Sequence, residues 1–371
     1  MRVALFTDTF FEINGAARTL RQVASRAHQF GIKLDVYTYG PEAKTSQEGE
    51  ATVFQFNNRL AVRYYEGLKF EVIPDFRIRR DFVTQVRRSP YQLIHLATPG
   101  SIGLVGRAFA KQFRVPQIGT YHTHLADYSA MRSIPGSRRL MRRFFWRYMR
   151  WFYRDCHAVQ CPTQGVADEL KEQGFRNRLG IFTRGIDTER FHPSRRTRTT
   201  AETVVAYIGR IAREKNVGWL PTVFRNQAAQ IQIVGDGPDR GWLESQLPDA
   251  HFAGYLHGED LAAAYANSDL LVFPSQTDTF GNVVLEAMAS GAVPLVATGP
   301  GPSEFVADGV NAEVCGSAEE MHTRLEALIA NSARRTEMSQ AARQFAESRS
   351  WDSAIGELME AYREAAAGTK A

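Results

Sequence analysis

The chain contains 371 residues, of which 44% are hydrophobic and 23% are charged. This length predicts two domains, and the composition argues against a disordered chain. A net charge of +5 indicates an acidic partner only where the basic residues cluster. The three cysteines form no C-x-x-C pair, which argues against a disulfide framework or a cysteine zinc site and favours a cytoplasmic protein.

The sequence offers no predicted membrane-crossing segment. The apolar run that follows Met1 and Arg2 ends at Asp8, so it is too short for the core of a signal peptide. Nowhere do about eighteen apolar residues follow one another, as a spanning helix requires. Any contact with a membrane is therefore expected to be peripheral.

Short apolar runs alternate with stretches of helical spacing. In the first half, strands are predicted at 2–7, 34–38, 93–96 and 117–120, with helices at 18–30 and 103–113. In the second half, strands are predicted at 204–209, 231–235, 270–275 and 293–297, with helices at 217–227, 241–246, 260–266 and 283–289. This alternation predicts parallel sheets covered by helices on both faces.

A polar stretch at 193–203 separates the two halves and marks the predicted junction. We therefore predict two doubly wound α/β domains, 1–192 and 193–350, followed by an amphipathic helix. Ligands of such sheets bind outside the carboxyl ends of the strands. With two sheets facing one another, the expected site is the cleft between them.

The segment DTFGNVVLE, residues 278–286, follows a predicted strand and opens into a predicted helix. The free N–H groups and the dipole of a helix N-terminus favour an anion, so a diphosphate is predicted here. Glu286 would accept hydrogen bonds from a ribose diol, and Asp278 from hydroxyl groups of a sugar. The alternative is that Asp278 is only a loop acid and Glu286 lies on a solvated helix face.

Three basic residues follow the first predicted strand of the second domain, within GRIAREKN at 209–216, and a role is assigned to two of them. Arg210 and Lys215 lie where ligands of such a sheet bind. Converging on a diphosphate, they would neutralise the charge that develops as it leaves. No role is assigned to Arg213 or Glu214, and a solvated basic loop is the alternative.

Two weaker signals come from the first domain. Gly15 begins a predicted helix after the first strand, where the absence of a side chain lets the backbone approach a phosphate or a sugar. In YHTH, residues 121–124, no third ligand has metal-site spacing. This favours a histidine that donates to a sugar hydroxyl or a phosphate, with a structural histidine as the alternative, more so for His124 than for His122.

Several motifs are absent from the sequence. There is no D-x-D, so a metal-bound diphosphate is disfavoured, and neither a metal nor a cofactor is expected. There is also no Walker-type phosphate loop. The glycine groups at 234–238 and 298–302 do not fit the dinucleotide fingerprint.

Seven segments, in this order along the chain, resemble landmarks of retaining glycosyltransferase family four, which has the GT-B fold. They are NGAARTL (14–20), YHTH (121–124), RGIDTERFHP (184–193), YIGRIAREKN (207–216), VGDGP (234–238), DTFGNVVLEAMASG (278–291) and GPSEFV (301–306). In that family the first of the two carboxylates is usually Glu. Asp278 is similar to the variant found in a subgroup of glycolipid-type enzymes, including bacterial mannosyltransferases and sulfoquinovosyl lipid synthases.

The resemblance implies two Rossmann-like domains facing across a cleft. Residues 1–192 would bind the acceptor, 193–350 the nucleotide sugar, and the helix within 351–371 would cross back to the first domain. The donor would be bound by Gly15, Arg210, Lys215, Asp278, Phe280, Gly281, Asn282 and Glu286. The catalytic residues would be His122, Arg210, Lys215 and Asp278. The implied reaction retains the anomeric configuration, with the diphosphate itself taking the acceptor proton.

The densest positive charge lies in the predicted helix 138–154. At about 100° per residue, one half carries Arg138, Arg139, Arg142, Arg143, Arg147, Arg150 and Arg154, and the other carries Leu140, Met141, Phe144, Phe145, Tyr148, Trp151 and Phe152. Trp146, Met149 and Tyr153 would project among the arginines, as suits an anionic membrane interface. The predicted membrane contacts are Arg139, Arg143, Trp146, Arg147 and Arg150. The alternative is an ordinary amphipathic helix with its arginines in water.

These observations together predict a metal-independent retaining hexosyltransferase on the inner face of the cell membrane. Its donor would be a UDP- or GDP-linked sugar, and its acceptor a membrane lipid or lipid-linked glycan. The alternatives are a soluble acceptor, a sugar phosphorylase or epimerase of the same fold, and a binder of nucleic acid or anionic membrane through helix 138–154. Base recognition is expected around 235–238 and 255–256, where nothing separates UDP from GDP.

Overall fold

The computed structural model describes residues 1–12, 15–57, 61–65, 68–71, 76–122, 138–299 and 301–368. The chain folds as two compact units, one formed by residues 1–183 with 352–371 and the other by residues 184–351. Each unit has its own sheet, so the predicted pattern of strands alternating with helices is confirmed.

The first unit is built on an eight-stranded sheet of order β10-β9-β8-β7-β1-β2-β4-β3. Its strands are β1 (Arg2–Thr7), β2 (Lys33–Gly40), β3 (Thr45–Glu48), β4 (Ala51–Asn57), β7 (Leu93–Leu96), β8 (Gln117–Thr120), β9 (Ala158–Cys161) and β10 (Arg178–Ile181), beside a separate pair β5 (Ala61–Tyr65) and β6 (Leu68–Glu71). Within the large sheet only β3 pairs antiparallel. The carboxyl ends of β8, β7 and β1 therefore lie side by side at one edge.

The helices of this part of the chain are α1 (Gly15–Arg26), α2 (Phe76–Arg88), α3 (Ser101–Phe113), α4 (Arg138–Tyr153) and α5 (Gln164–Glu172). Strand β1 is buried along its whole length, as expected for a central strand of a covered parallel sheet. Aromatic rings dominate the core: Phe6 stacks on Tyr37, and Phe82 stacks on Phe109.

The second unit contains a six-stranded sheet of order β13-β12-β11-β14-β15-β16, with all pairs parallel. Its strands are β11 (Val204–Ile208), β12 (Gln230–Val234), β13 (His251–Gly254), β14 (Leu270–Phe273), β15 (Val293–Ala297) and β16 (Glu313–Cys315). Its helices are α6 (Leu220–Val223), α7 (Arg240–Gln246), α8 (Gly258–Ala266), α9 (Asn282–Ala289), α10 (Pro302–Phe305), α11 (Ala318–Ala330) and α12 (Ser332–Glu347).

The predicted helix 217–227 is wrong in length. The chain forms a 3-10 turn at Val217–Trp219, and α6 then ends at Val223. Asn226 has a left-handed backbone with φ of 54°, a conformation that does not continue a right-handed helix.

The C-terminal helix α13 (Trp351–Ala367) is held to the first sheet through a buried histidine. His95 on β7 contacts the Tyr362 hydroxyl at 2.7 Å through Nδ1 and the Thr120 hydroxyl at 2.6 Å through Nε2. Burial lowers the pKa of His95 to about 3, so the ring is neutral. Nearly all of α13 thus belongs to the first unit although it follows the second in the chain.

The boundary between the units falls between Thr183 and Arg184, upstream of the predicted junction at Pro193. Residues 184–192 pack with the second unit: the Ile186 N–H donates to the Arg349 carbonyl at 2.9 Å, and Phe191 lies edge-on to Tyr265. The polar stretch that follows lies largely on the surface, and ion pairs of Arg196 and Arg198 with Asp269 hold it there.

Candidate functional site

The loops after two neighbouring strands of the second sheet meet in an ion pair. Lys215 follows β11 and Asp278 follows β14, and these strands are adjacent and parallel. Lys215 Nζ lies 2.6 Å from Asp278 Oδ1 and 2.8 Å from Oδ2. Both side chains are largely buried, at 19% and 18% exposure. Two residues that the sequence analysis assigned to separate tasks, diphosphate and sugar binding, are thus in direct contact.

The loop that carries the basic residues is held in a defined shape. Residues Arg213–Lys215 form a 3-10 turn that ends at Asn216, whose φ is 55°. The Asn216 amide donates to the Pro274 carbonyl at 3.2 Å, and the Thr277 hydroxyl donates to the Glu214 carbonyl at 2.8 Å. These bonds join the loop after β11 to the loop after β14, so the ion pair has a rigid frame.

Glu214, which received no role from the sequence, is buried beside Arg210. Arg210 Nε lies 3.9 Å from Glu214 Oε1, with 19% and 8% of the two side chains exposed. The Arg210 carbonyl also accepts a hydrogen bond of 2.6 Å from the Tyr207 hydroxyl. A spacing of four residues inside an irregular loop gives no sequence signal for such a pair, because it depends on the 3-10 turn.

Glu286 lies near the start of α9, inside the second unit. Gly281 precedes the helix with φ of +77°, and a Cβ there would come within 2.4 Å of the Pro302 ring. Glu286 is only 4% exposed, so the alternative of a solvated helix face is wrong. A carboxylate buried to this extent is uncommon for a surface acid and is compatible with the predicted binding role.

Phe280 is buried in the wall of the loop. Its ring stacks on Phe305 at 4.8 Å between centroids, and the Arg184 guanidinium lies 5.8 Å from its centroid. Arg184 is 4% exposed, and burial lowers its pKa to about 9. Arg184 is the first residue of the segment RGIDTERFHP, which resembles a landmark of the family, but no role was predicted for it. Phe280 is therefore positioned to fix the shape of the loop.

In the first unit, the two predicted ligand contacts lie at the ends of strands. Gly15 is the exposed first residue of α1, after β1, and His122 follows β8 with 9% exposure. Because β8, β7 and β1 are neighbours, both residues belong to the same edge of the sheet. Asn14 and His124 lie outside the described residues.

The basic helix α4 faces the core with a different side from the one predicted. Trp146, Met149 and Tyr153 are 3%, 1% and 0% exposed, and Trp146 stacks on Tyr121. The predicted contact of Trp146 with a membrane is therefore wrong. Both halves of the helix carry aromatic residues, so the amphipathic pattern alone did not fix which half would pack against the sheet.

The exposed side of α4 combines arginines with large apolar side chains. Leu140 is 70% exposed, Phe144 60% and Trp151 43%. Arg139, Arg143 and Arg147 are exposed, whereas the half-buried Arg150 donates to the Gln173 carbonyl at 2.6 Å. Among the described residues, no helix is long and apolar enough to cross a bilayer.

Comparison with known families matches both halves of the chain. Residues 13–190 match the family described as Glycosyltransferase Family 4, and residues 202–331 match Glycosyl transferases group 1. Among solved structures, a sucrose-phosphate synthase from Thermosynechococcus elongatus superposes with a TM-score of 0.82 at 17% identity, over 99% of this chain and 100% of that one.

Three curated relatives illustrate the range of similar enzymes. A GDP-mannose-dependent alpha-mannosyltransferase from Corynebacterium glutamicum is 28% identical, over 98% of this chain and 88% of the relative. A sulfoquinovosyl transferase from Arabidopsis thaliana is 26% identical over 96% and 72%. An alpha-monoglucosyldiacylglycerol synthase from Streptococcus pneumoniae is 26% identical over 89% and 79%.

Proposed function

Because the chain belongs to glycosyltransferase family 4 and has the GT-B fold, we propose that it transfers a hexose from a nucleotide-diphosphate sugar to a hydroxyl group of a membrane lipid or lipid-linked glycan. The observation that carries the proposal is the cluster at the carboxyl ends of β11 and β14 in the second sheet. There the Lys215–Asp278 ion pair and Arg210 share a rigid frame, next to the helix that buries Glu286.

In this proposal, the donor lies across the carboxyl ends of the strands. Arg210 and Lys215 bind the diphosphate, with Asn282 at the start of α9 adding a backbone N–H. Glu286 accepts hydrogen bonds from the ribose, and Asp278, already fixed by Lys215, accepts from the sugar hydroxyls. Gly15 and His122 of the first unit remain predicted donor contacts.

We propose that the base binds at the carboxyl end of β13, which lies on the side of β11 away from β14. Tyr255 directly follows β13 and is 51% exposed. Its ring lies 6.2 Å from that of His257 at an angle of 19°. An exposed aromatic face of this kind suits stacking against a nucleobase. The mannosyltransferase relatives make GDP-mannose the first donor to test and UDP-hexoses the second.

The proposed reaction retains the anomeric configuration. The bond between the anomeric carbon and the diphosphate oxygen breaks, and the acceptor oxygen attacks from the same face while its proton passes to the departing diphosphate. Lys215 and Arg210 stabilise the negative charge that develops on the leaving group, which is the largest contribution expected of the protein. With these two cations in place, the proposed transfer needs no metal ion.

The direct test combines nucleotide binding with transfer. A ligand that binds only the native chain raises its melting temperature, by an amount that grows with the logarithm of ligand concentration. We expect GDP-mannose or a UDP-hexose, but not the free sugar, to raise the melting temperature by several degrees. Transfer to lipid extracts should then be seen with the same donor. If no nucleotide sugar shifts the melting temperature, the proposal is wrong.

We also propose that α4 docks the protein on anionic membrane. Leu140, Phe144 and Trp151 would enter the interfacial region, while Arg143 and Arg147 contact lipid phosphates. The relatives include a glucosyldiacylglycerol synthase, whose lipid is available only at a membrane.

Binding to anionic vesicles is expected to rise with the anionic lipid fraction and to fall with salt. Phe144→Ser should weaken binding by roughly tenfold, since it removes about 1.5–3 kcal/mol of apolar transfer energy at most. Trp146→Phe, a change in the core, serves as the control and should leave vesicle affinity unchanged. Equal co-sedimentation with neutral and anionic vesicles at low salt would contradict docking through this helix.

A further inference from the structure

One carboxylate of the first unit has no part in the donor site. Glu12 lies in the loop that follows β1 and is half-buried. Its Oε2 atom is shielded from solvent and has no hydrogen-bond partner among the residues that the structure describes. A buried carboxylate oxygen without a partner is costly, so it is retained only where something else satisfies it.

The loop before Glu12 is locked to its neighbour. Asp8 accepts hydrogen bonds from the Thr98 hydroxyl at 2.6 Å and from the Ile102 N–H at 2.9 Å, which joins the loop after β1 to the loop after β7. A Cβ on Gly100 would come within 2.4 Å of the Asp8 carboxyl carbon. The loop that leads to Glu12 is therefore held in place at the carboxyl ends of β1 and β7.

The charge of Glu12 is destabilised by its surroundings. Burial raises its pKa, and the nearby Asp8 acts in the same direction, whereas the backbone N–H groups of residues 10–12 oppose the shift. Phe11 beside it is 39% exposed. Glu12 and Phe11 together present a hydrogen-bond acceptor and an aromatic surface, two features that small-molecule sites combine.

The position of Glu12 matches the acceptor side of the proposed reaction. In the sheet, β7 lies between β1 and β8. Two strand spacings therefore separate the carboxyl end of β1, which leads to Glu12, from that of β8, which leads to His122, a distance of about 10 Å. The Tyr148 hydroxyl of α4 donates to the Pro99 carbonyl in the loop after β7. The helix proposed to touch the membrane is thereby anchored to the loop that also holds Asp8.

We propose that Glu12 Oε2 accepts a hydrogen bond from a hydroxyl group of a glycosyl acceptor and so positions that acceptor at the edge of the first sheet. This inference rests on the proposed function, since it names the group that binds the second substrate. The recognised chemistry is a polyhydroxylated head group on an apolar tail. Glu12 binds a hydroxyl of the head group other than the attacking one, so the attacking hydroxyl keeps its proton for the leaving diphosphate.

The test uses Glu12→Gln and Glu12→Asp in the full chain, with octyl mannoside and monoglucosyldiacylglycerol in anionic vesicles as acceptor probes. We expect Glu12→Gln to lower kcat/KM for the acceptor by about 100-fold, since an unmatched buried polar contact costs that much. Glu12→Asp should recover part of the loss. The donor-induced rise in melting temperature and the slow hydrolysis of donor without acceptor should not change. Glu42→Gln, at an exposed glutamate of the same unit, is the control.

Stability separates this role from a structural one. Because the folded pKa of Glu12 is raised, its stabilising contribution is complete below the unfolded pKa and is lost as pH rises through the folded pKa. Above that pH, Glu12→Gln removes a buried charge, so its melting temperature should equal or exceed that of the wild type. A lower melting temperature, normal acceptor kinetics, or no binding of either probe by the wild type would overturn the proposal. Failure of the proposed function would instead show as no response of the wild type to nucleotide sugars.

Discussion

The Glu286→Ala variant should show no rise in melting temperature with any nucleotide sugar, and its transfer rate should fall by about 100- to 10,000-fold. Glu286 lies on α9 and is 4% exposed. In the proposed donor site, its carboxylate accepts hydrogen bonds from both ribose hydroxyls. Hydrogen bonds to a charged group are worth about 1.5–3 kcal/mol each. Loss of two such bonds corresponds to roughly two to four orders of magnitude in affinity.

The melting temperature without ligand and the circular dichroism spectrum show whether Glu286→Ala still folds. Glu286→Gln keeps the side-chain volume and should retain weak binding, because one amide oxygen can still accept. Glu326→Ala, an exposed position on α11 of the same unit, should behave as the wild type. Normal donor binding by a folded Glu286→Ala variant would remove the central assignment.

Lys215→Met should reduce kcat by about 100- to 1,000-fold, the loss seen when one stabilising charge is taken from a developing oxyanion. The donor KM should change less, because Arg210 still binds the ground-state diphosphate. The side chain of Lys215 also holds Asp278 at 2.6 Å, so its removal leaves a largely buried carboxylate without this partner. Part of any loss could therefore come from a disordered loop.

The double variant Lys215→Met/Asp278→Asn separates these two causes. The neutral pair fills a similar volume and should recover most of the melting temperature that Lys215→Met loses. If Lys215 stabilises the leaving diphosphate, kcat of the double variant stays well below that of the single variant Asp278→Asn, which shows the loss of the sugar contact alone. Recovery of kcat together with the melting temperature would show that Lys215 serves only to hold the loop.

Local sequence patterns predicted eight of the sixteen strands that the structure describes, which was enough for the α/β class. The strands that were not predicted are β3, β4, β5, β6, β9, β10, β13 and β16. A short apolar run rich in β-branched residues, such as Val204–Ile208, is typical of a strand buried on both faces. Gly281 before an apolar helical run likewise marked the turn into α9, since its φ of +77° is accessible chiefly to glycine. The GT-B fold and the glycosyltransferase family were implied by the resemblance of the ordered motifs, and the comparisons confirm both.

Periodicity did not show which side of helix α4 packs against the core. Trp146 was predicted to contact a membrane and is 3% exposed, whereas Phe144, on the half opposite the arginines, is 60% exposed. Aromatic residues occur on both halves of α4, and long arginine side chains can lie along apolar surface, so the helix has two plausible buried sides. Packing of Trp146 on Tyr121 decided between them.

The sequence by itself determined which residue types follow which strands, and therefore which chemistry is present: two cations after β11, and two carboxylates around the start of α9. Only the tertiary structure decided which of them meet. Lys215 and Asp278 are 63 residues apart and form an ion pair because β11 and β14 are neighbours in the sheet. The pairing of Arg210 with Glu214 and the shielded oxygen of Glu12 are likewise properties of packed loops, because they depend on irregular backbone. The burial of Glu286 depends on how α9 packs within the second unit.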